Sequence, residues 1–309
     1  MKALLLHLGV LAGLLALNFL APAYHHAMLA RIMVLAVFGL GYNIAFGYTG
    51  LLSLGHALYF AAGLYATGLL SQAGWSAGPA LLAGVVAGGA IALVSGALAL
   101  RTAGVSFMIV TLMFAQAGYQ TILYYTPLTR GEEGFNLTNA GRMLGPVNLT
   151  EETPRYLAAL ALFAVALLLK LALVRSRRGR VMVAVRENEE RSRMLGYDVF
   201  RVKLVALTLS GLYAGAAGAA WAVLFGYVGA GFAGIQYSIL PLLYTLLGGA
   251  GTVLGPFLGA LLMFYLIDLT SDVSQSYLFM VGASLLILIV FAPKGILGSL
   301  RERGLKWLP

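Results

Sequence analysis

The chain has 309 residues, 61% of them hydrophobic and 10% charged, and carries a net charge of +9 at a mean hydropathy of +0.90. A soluble domain of this size cannot present such a surface to water, so the bilayer is the solvent; the basic excess belongs to loops held by the positive-inside bias, and nucleic-acid binding is excluded. Cysteine is absent, which excludes a disulfide framework, a thiolate metal site and a cysteine nucleophile.

Crossing a hydrocarbon core of roughly 30 Å takes about 20 apolar residues. Apolar runs of that order occur at 3–20, 29–47, 51–70, 78–100, 103–126, 154–174, 204–225, 235–248, 252–269 and 277–292. They predict an all-α membrane protein, a polytopic transmembrane helix bundle with 8 to 10 spans in one domain over 1–309. Between Ala3 and Thr126 the only formal charges are Arg31 and Arg101. The run at 51–70 carries Ser53, Gly55 and His56 near its start, and 235–248 is short and contains Pro241, so these two are the candidates for re-entrant segments. At the N-terminus a second reading stays open, because Lys2, the apolar run to Leu17 and Ala21-Pro22-Ala23 also fit a cleaved signal peptide.

Orientation follows from the loop at about 175–203, where nine basic residues (Arg175, Arg177, Arg178, Arg180, Arg186, Arg191, Arg193, Arg201, Lys203) face four acidic ones. It is expected in the cytoplasm. Counting spans from there places both termini inside, with Lys2, Arg101 and the tail bearing Lys294, Arg301, Arg303 and Lys306. The segment at about 127–153, with Glu132, Glu133, Glu151 and Glu152, falls outside, as do Asp268 and Asp272. The chain is thus read as a multi-pass protein of the inner (plasma) membrane.

No Gly-Lys pair occurs, so there is no phosphate-binding loop and no ATP hydrolysis by this chain alone. The candidate spans contain no Glu, and Asp268 lies at a span end, which disfavours ion-coupled transport, although sodium held by backbone carbonyls stays open. His7, His25, His26 and His56 show no metal spacing, and no Ser sits in a nucleophile elbow. Glycines at Gly211, Gly215 and Gly218, and at Gly251, Gly255 and Gly259, have the spacing of helix-packing stripes.

A polar side chain within a span needs a partner or water. Asn43, Ser53, His56, Thr111 and Gln116 are therefore candidates to line a solute path, with hydrogen bonding between helices as the alternative. His56 follows Ser53-Leu54-Gly55 at what reads as a broken helix start, where free N–H groups can meet a carboxylate. In the charged loop, the run from Gly179 to Gly196 reads as one short helix closed by Gly196. Either it lies on lipid headgroups or it docks a protein partner. The alternation of Glu187, Glu189 and Glu190 with Arg186, Arg191 and Arg193 suits a charge-complementary protein. Arg186, Glu187, Asn188, Glu190, Arg191 and Gly196 are its candidate contact residues.

Residues Ala184 to Gly196, followed by Asp198-Val-Phe-Arg-Val-Lys203, resemble the cytoplasmic loop of branched-chain amino acid ABC transporter permeases of the LivM type. In the same order, Gly47 to His56, Arg101 to Phe107 with Thr111 and Gln116, Ser210 to Ala219, and Gly248 to Pro256 resemble that family too. The resemblance implies an importer in which this chain pairs with a second homologous permease, two cytoplasmic ATPase subunits carrying the ATP and magnesium, and an extracytoplasmic solute-binding protein. It makes the loop a cytoplasmic coupling helix and implies alternating access. Glu190-x-Ser192-x-x-x-Gly196 is similar to the E-A-A-x-x-x-G signature, with Arg191 and Ser192 where the family has Ala. Related permeases serve urea and short amides, and these residues do not separate such solutes from leucine, isoleucine or valine. A secondary amino-acid transporter is the alternative; a purely structural membrane subunit is a third reading.

Overall fold

The computed structural model describes residues 2–20, 22–271 and 294–303, with isolated positions between 282 and 292. Apart from those isolated positions, the run at 277–292 lies outside the described residues, as do Asp272 and Lys306. In chain order the helices are α1 (Lys2–Leu20), α2 (Ala23–Thr49), α3 (His56–Gln72), α4 (Ala77–Ala99), α5 (Gly104–Tyr124), α6 (Thr126–Thr129), α7 (Glu152–Arg175), α8 (Arg177–Glu187), α9 (Glu189–Met194), α10 (Val199–Phe225), α11 (Ile235–Gly248) and α12 (Gly255–Ser271), followed by Gly295–Arg303. Among them α2, α4, α5, α7 and α10 are long and apolar enough to cross a membrane, while α1, α11 and α12 are shorter apolar helices.

Helix α2 is the axis of the bundle, and from Met28 to Ala45 every residue except Arg31 is buried. A close seam joins α10 to α4. A Cβ on Gly88 would lie 2.5 Å from the Gly215 Cα, and one on Gly211 would overlap the Ala92 side chain. Lipid supplies no hydrophobic force between helices, so small residues that let backbones touch do this work instead. The second stripe is only partly helical: Gly251 lies in the loop before α12 at φ +76, while Gly255 and Gly259 face α11.

The two doubtful runs are short helices that start inside the bundle. Gly50 ends α2 in the left-handed region at φ +73, and the chain runs through Leu51–Gly55 before α3 opens at His56. His56 lies against Tyr42, which is about 10 Å back from the end of α2 at 1.5 Å per residue. Helix α11 follows a 3-10 turn, Ala230–Ala233, and its first-turn Ser238 Oγ accepts from Ala57 N of α3 at 3.0 Å. The N-termini of α3 and α11 therefore meet at depth.

At the end of the bundle away from α8 and α9, strand β1 (Phe135–Asn136) pairs antiparallel with β4 (Tyr227–Val228), and β2 (Met143–Leu144) with β3 (Val147–Asn148). Arg142 donates from Nε to Val223 O at 2.8 Å and from Nη2 to Leu224 O at 2.6 Å. A cation thus closes the carbonyl end of α10, where the helix dipole is negative.

Candidate translocation and coupling site

Helix α8 is amphipathic by position. It turns Gly179, Met182 and Val185 inward, and Met182 joins Ile44 and Tyr48 of α2 and Ala206 of α10 in one apolar cluster. Ser176 caps its start, accepting from Gly179 N at 3.3 Å. From its last turn, Arg186 donates to the Gly47 carbonyl and so caps the end of α2.

The structure corrects the single helix expected from Gly179 to Gly196. Asn188 stands in extended backbone (φ −160, ψ 107) and its Oδ1 accepts from Arg191 N at 2.8 Å, so it closes α8 and opens α9. An Asn side chain that can satisfy the backbone locally competes with helix continuation. Gly196, at φ +85, terminates α9: Tyr197 N reaches Ser192 O at 3.1 Å and Gly196 N reaches Arg193 O at 2.9 Å, the paired bonds of a glycine C-terminal cap. Glu189 pairs with Lys203. Glu187, Glu190, Arg191 and Arg193 are exposed, and so are Met194 (86%) and Leu195 (70%). In a segment dominated by charge, that apolar pair has no periodic pattern in the sequence to mark it.

The five candidate path residues divide. Ser53, His56 and Thr111 converge on the broken start of α3, where Ser53 Oγ accepts from Gly55 N and Thr111 Oγ1 from Leu54 N, each at 3.1 Å. His56 is fully buried between the rings of Tyr42 and Tyr59, with Nε2 2.7 Å from Ser210 Oγ. Asn43 lies apart from them. Its Nδ2 donates to Thr252 O at 2.7 Å and its Oδ1 accepts from Gly251 N at 2.9 Å, clamping the loop between α11 and α12. Gln116 is exposed on α5.

Lys170 of α7 reaches the same loop and was missed from sequence. It is fully buried, with Nζ 3.5 Å from both Thr252 O and Val253 O and 5.8 Å from the Tyr48 ring centroid. No carboxylate pairs with it among the described residues. Its position in an apolar run near a span end reads as a snorkelling lysine, so the signal was present but ambiguous.

A cavity of about 580 Å³ lies between the lead-in Gly50–Leu52, the α4–α5 turn and the α9–α10 corner, lined in part by Glu189, Arg193 and Lys203. Among the described residues no group of three His, Asp or Glu side chains is placed to hold a metal.

Two short helices meeting N-terminus to N-terminus inside a bundle of long apolar helices, with a charged helix pair clasping one end, define a multi-pass membrane protein of permease build. Residues 25–291 match the family described as the permease component of branched-chain amino acid transport systems, and the chain belongs to that family. It is 29% identical over 298 residues to the high-affinity branched-chain amino acid transport system permease protein LivM of Salmonella typhimurium, covering 88% of this chain and 69% of the relative. The LivM protein of Escherichia coli K12 is 29% identical over 299 residues, with the same coverage. A shorter stretch of 88 residues, 26% of this chain and 25% of the relative, is 40% identical to the autoinducer 2 import system permease protein LsrC of Klebsiella pneumoniae. No solved structure matches the chain.

Proposed function

We propose that this chain is one permease subunit of an ATP-driven importer for branched-chain amino acids or a closely related small solute. The carrying observation is mechanical: α8 is fastened to the end of α2 through Met182 and Arg186, and α9 to α10 through Glu189 and Lys203, yet the pair turns Glu187, Glu190, Arg191, Met194 and Leu195 outward. A surface that is both anchored and open suits a lever driven by a partner. In this reading two cytoplasmic ATPase subunits, which hold ATP and magnesium, dock on that surface; a second homologous permease completes the path and an extracytoplasmic solute-binding protein delivers the solute. Both termini and the α8–α9 element face the cytoplasm, and the chain itself carries no cofactor.

The α3–α11 meeting point, with Ser53, His56 and Thr111, is where we place the moving part of the path. Tilting α2 at Gly47 shifts Tyr42 against His56, and through Ser210 the shift reaches α10. Gln116, exposed on α5, faces the second permease or the path.

The test is uptake of labelled leucine into proteoliposomes holding the assembled complex. Uptake is expected to require ATP and to vanish with hydrolysis-deficient ATPase subunits, and the purified chain alone is expected to hydrolyse no ATP. Uptake that survives such subunits and collapses with an ionophore would transfer the reading to an ion-coupled carrier.

A further inference from the structure

Arg31 is the single exposed residue in the buried stretch of α2 from Met28 to Ala45. It lies eight residues into the helix, about 12 Å below its start at 1.5 Å per residue. An ionisable side chain at such depth belongs to a wet path or a partner, not to lipid. No carboxylate pairs with it among the described residues. Its guanidinium carbon stands 5.7 Å from the centroid of the Phe225 ring. Phe225 neighbours Trp221 at 4.5 Å, Trp221 neighbours Phe232 at 5.5 Å, and Phe232 neighbours Tyr237 at 4.9 Å between centroids. All four rings are half-buried. Helices α2, α10 and α11 and the 3-10 turn between the last two therefore place one uncommitted cation beside a partly open apolar wall.

We propose that Arg31 and this aromatic wall form a solute site for an α-amino acid, the guanidinium taking the carboxylate and Trp221, Phe225, Phe232 and Tyr237 taking a compact apolar side chain. A planar guanidinium fork matches a carboxylate bidentately, and a half-dry setting strengthens that pairing. The inference rests on the permease reading and deepens it. Among the solutes the family resemblance leaves open, it selects apolar monocarboxylates over urea and neutral amides, which offer no charge to Arg31.

The chain has no cysteine, so Arg31→Cys, assembled with ATPase and solute-binding subunits made cysteine-free, gives the complex a single reporter thiol. In nanodiscs, where both faces are accessible, the thiol is expected to react with water-borne methanethiosulfonates, and leucine, but not leucinamide, is expected to slow the reaction. In proteoliposomes the variant is expected to lose leucine uptake by at least about tenfold. An adduct carrying an ammonium is expected to restore part of it, and one carrying a sulfonate none. Arg31→Lys should retain more uptake than Arg31→Gln at equal assembly. An unreactive thiol, equal behaviour of the two adducts, undiminished uptake by Arg31→Gln, or failure of every uncharged variant to assemble would each overturn the site, because each assigns Arg31 to lipid, to an interface or to folding. A wild-type complex that takes up no branched-chain amino acid sinks the permease reading instead, and the same assay reports it before any variant is made.

Discussion

Asn43 commits both ends of its amide to one loop, donating to Thr252 O and accepting from Gly251 N while fully buried. Replacing it by leucine takes the partner from Gly251 N and leaves Thr252 O only the 3.5 Å contact from Lys170, at about 1–3 kcal/mol for each group left unsatisfied. Asn43→Leu is therefore expected to lower the thermal stability of the detergent-purified chain by at least about 2 kcal/mol; an unshifted melting transition would show that the clamp contributes nothing. Lys170 approaches the same loop with the opposite energetics, for its 3.5 Å contacts to two carbonyls are long and desolvation of an unpaired ammonium costs several kcal/mol. Lys170→Met, which keeps the stem, is expected to leave the melting transition unchanged or raise it while lowering leucine uptake, and a clear fall in stability would mean that the carbonyls hold the ammonium better than water does. Asn43 was legible as a polar group in need of a partner because leaving an amide unpaired within a span is costly. Its actual partner was not, since Thr252 is over two hundred residues away. Lys170 was harder: one lysine near a span end either reaches water or turns inward, and only the neighbouring helices decide which.

At the scale of the element, the α8–α9 pair turns on Asn188. Gly196 was readable as a terminator because a left-handed backbone suits glycine, and it stands at φ +85. The break at Asn188 was hidden, since within a run of Arg and Glu an asparagine cap looks the same as a surface residue. Its loss as a cap costs about 0.5–2 kcal/mol. Fusing α8 to α9 would then swing Met194 and Leu195 about the helix axis by about 100° for each residue added. Asn188→Ala is expected to leave membrane insertion intact, to reduce recovery of the ATPase subunits with the complex, and to cut uptake further than assembly. Asn188→Asp keeps the capping oxygen and is expected to stay near wild type. Equal activity of the alanine variant would make the two-helix geometry irrelevant to coupling.

For the whole molecule, the hydrophobic runs foretold where helices lie, and Ser53, Gly55, His56 and Pro241 marked two of them as candidates for re-entrant segments, but that the two starts meet each other, through Ala57 N and Ser238 Oγ, is a long-range contact that no local pattern encodes. Two ends of the bundle are nevertheless distinct. One gathers Arg186, Glu189, Arg193 and Lys203 around α8, α9 and the start of α10; the other holds Arg142 on the final carbonyls of α10, beside the β1–β4 pair. Helix α10 has 27 residues and at 1.5 Å per residue is about 40 Å long, more than the roughly 30 Å of a hydrocarbon core. It is long enough to carry its two ends into opposite aqueous phases, and the positive-inside bias is the ground on which we propose that the Arg-rich end faces the cytoplasm. Asn139 lies beside Arg142 and Asn188 between α8 and α9, and both are exposed. Single cysteines at these positions in the cysteine-free chain are expected to label from opposite faces of intact cells, Asn139→Cys with an impermeant maleimide from outside and Asn188→Cys only after the membrane is opened. Labelling from the same face would break the parity of the spans, and labelling with the faces exchanged would invert the lever, leaving α8 and α9 where no cytoplasmic ATPase can reach them.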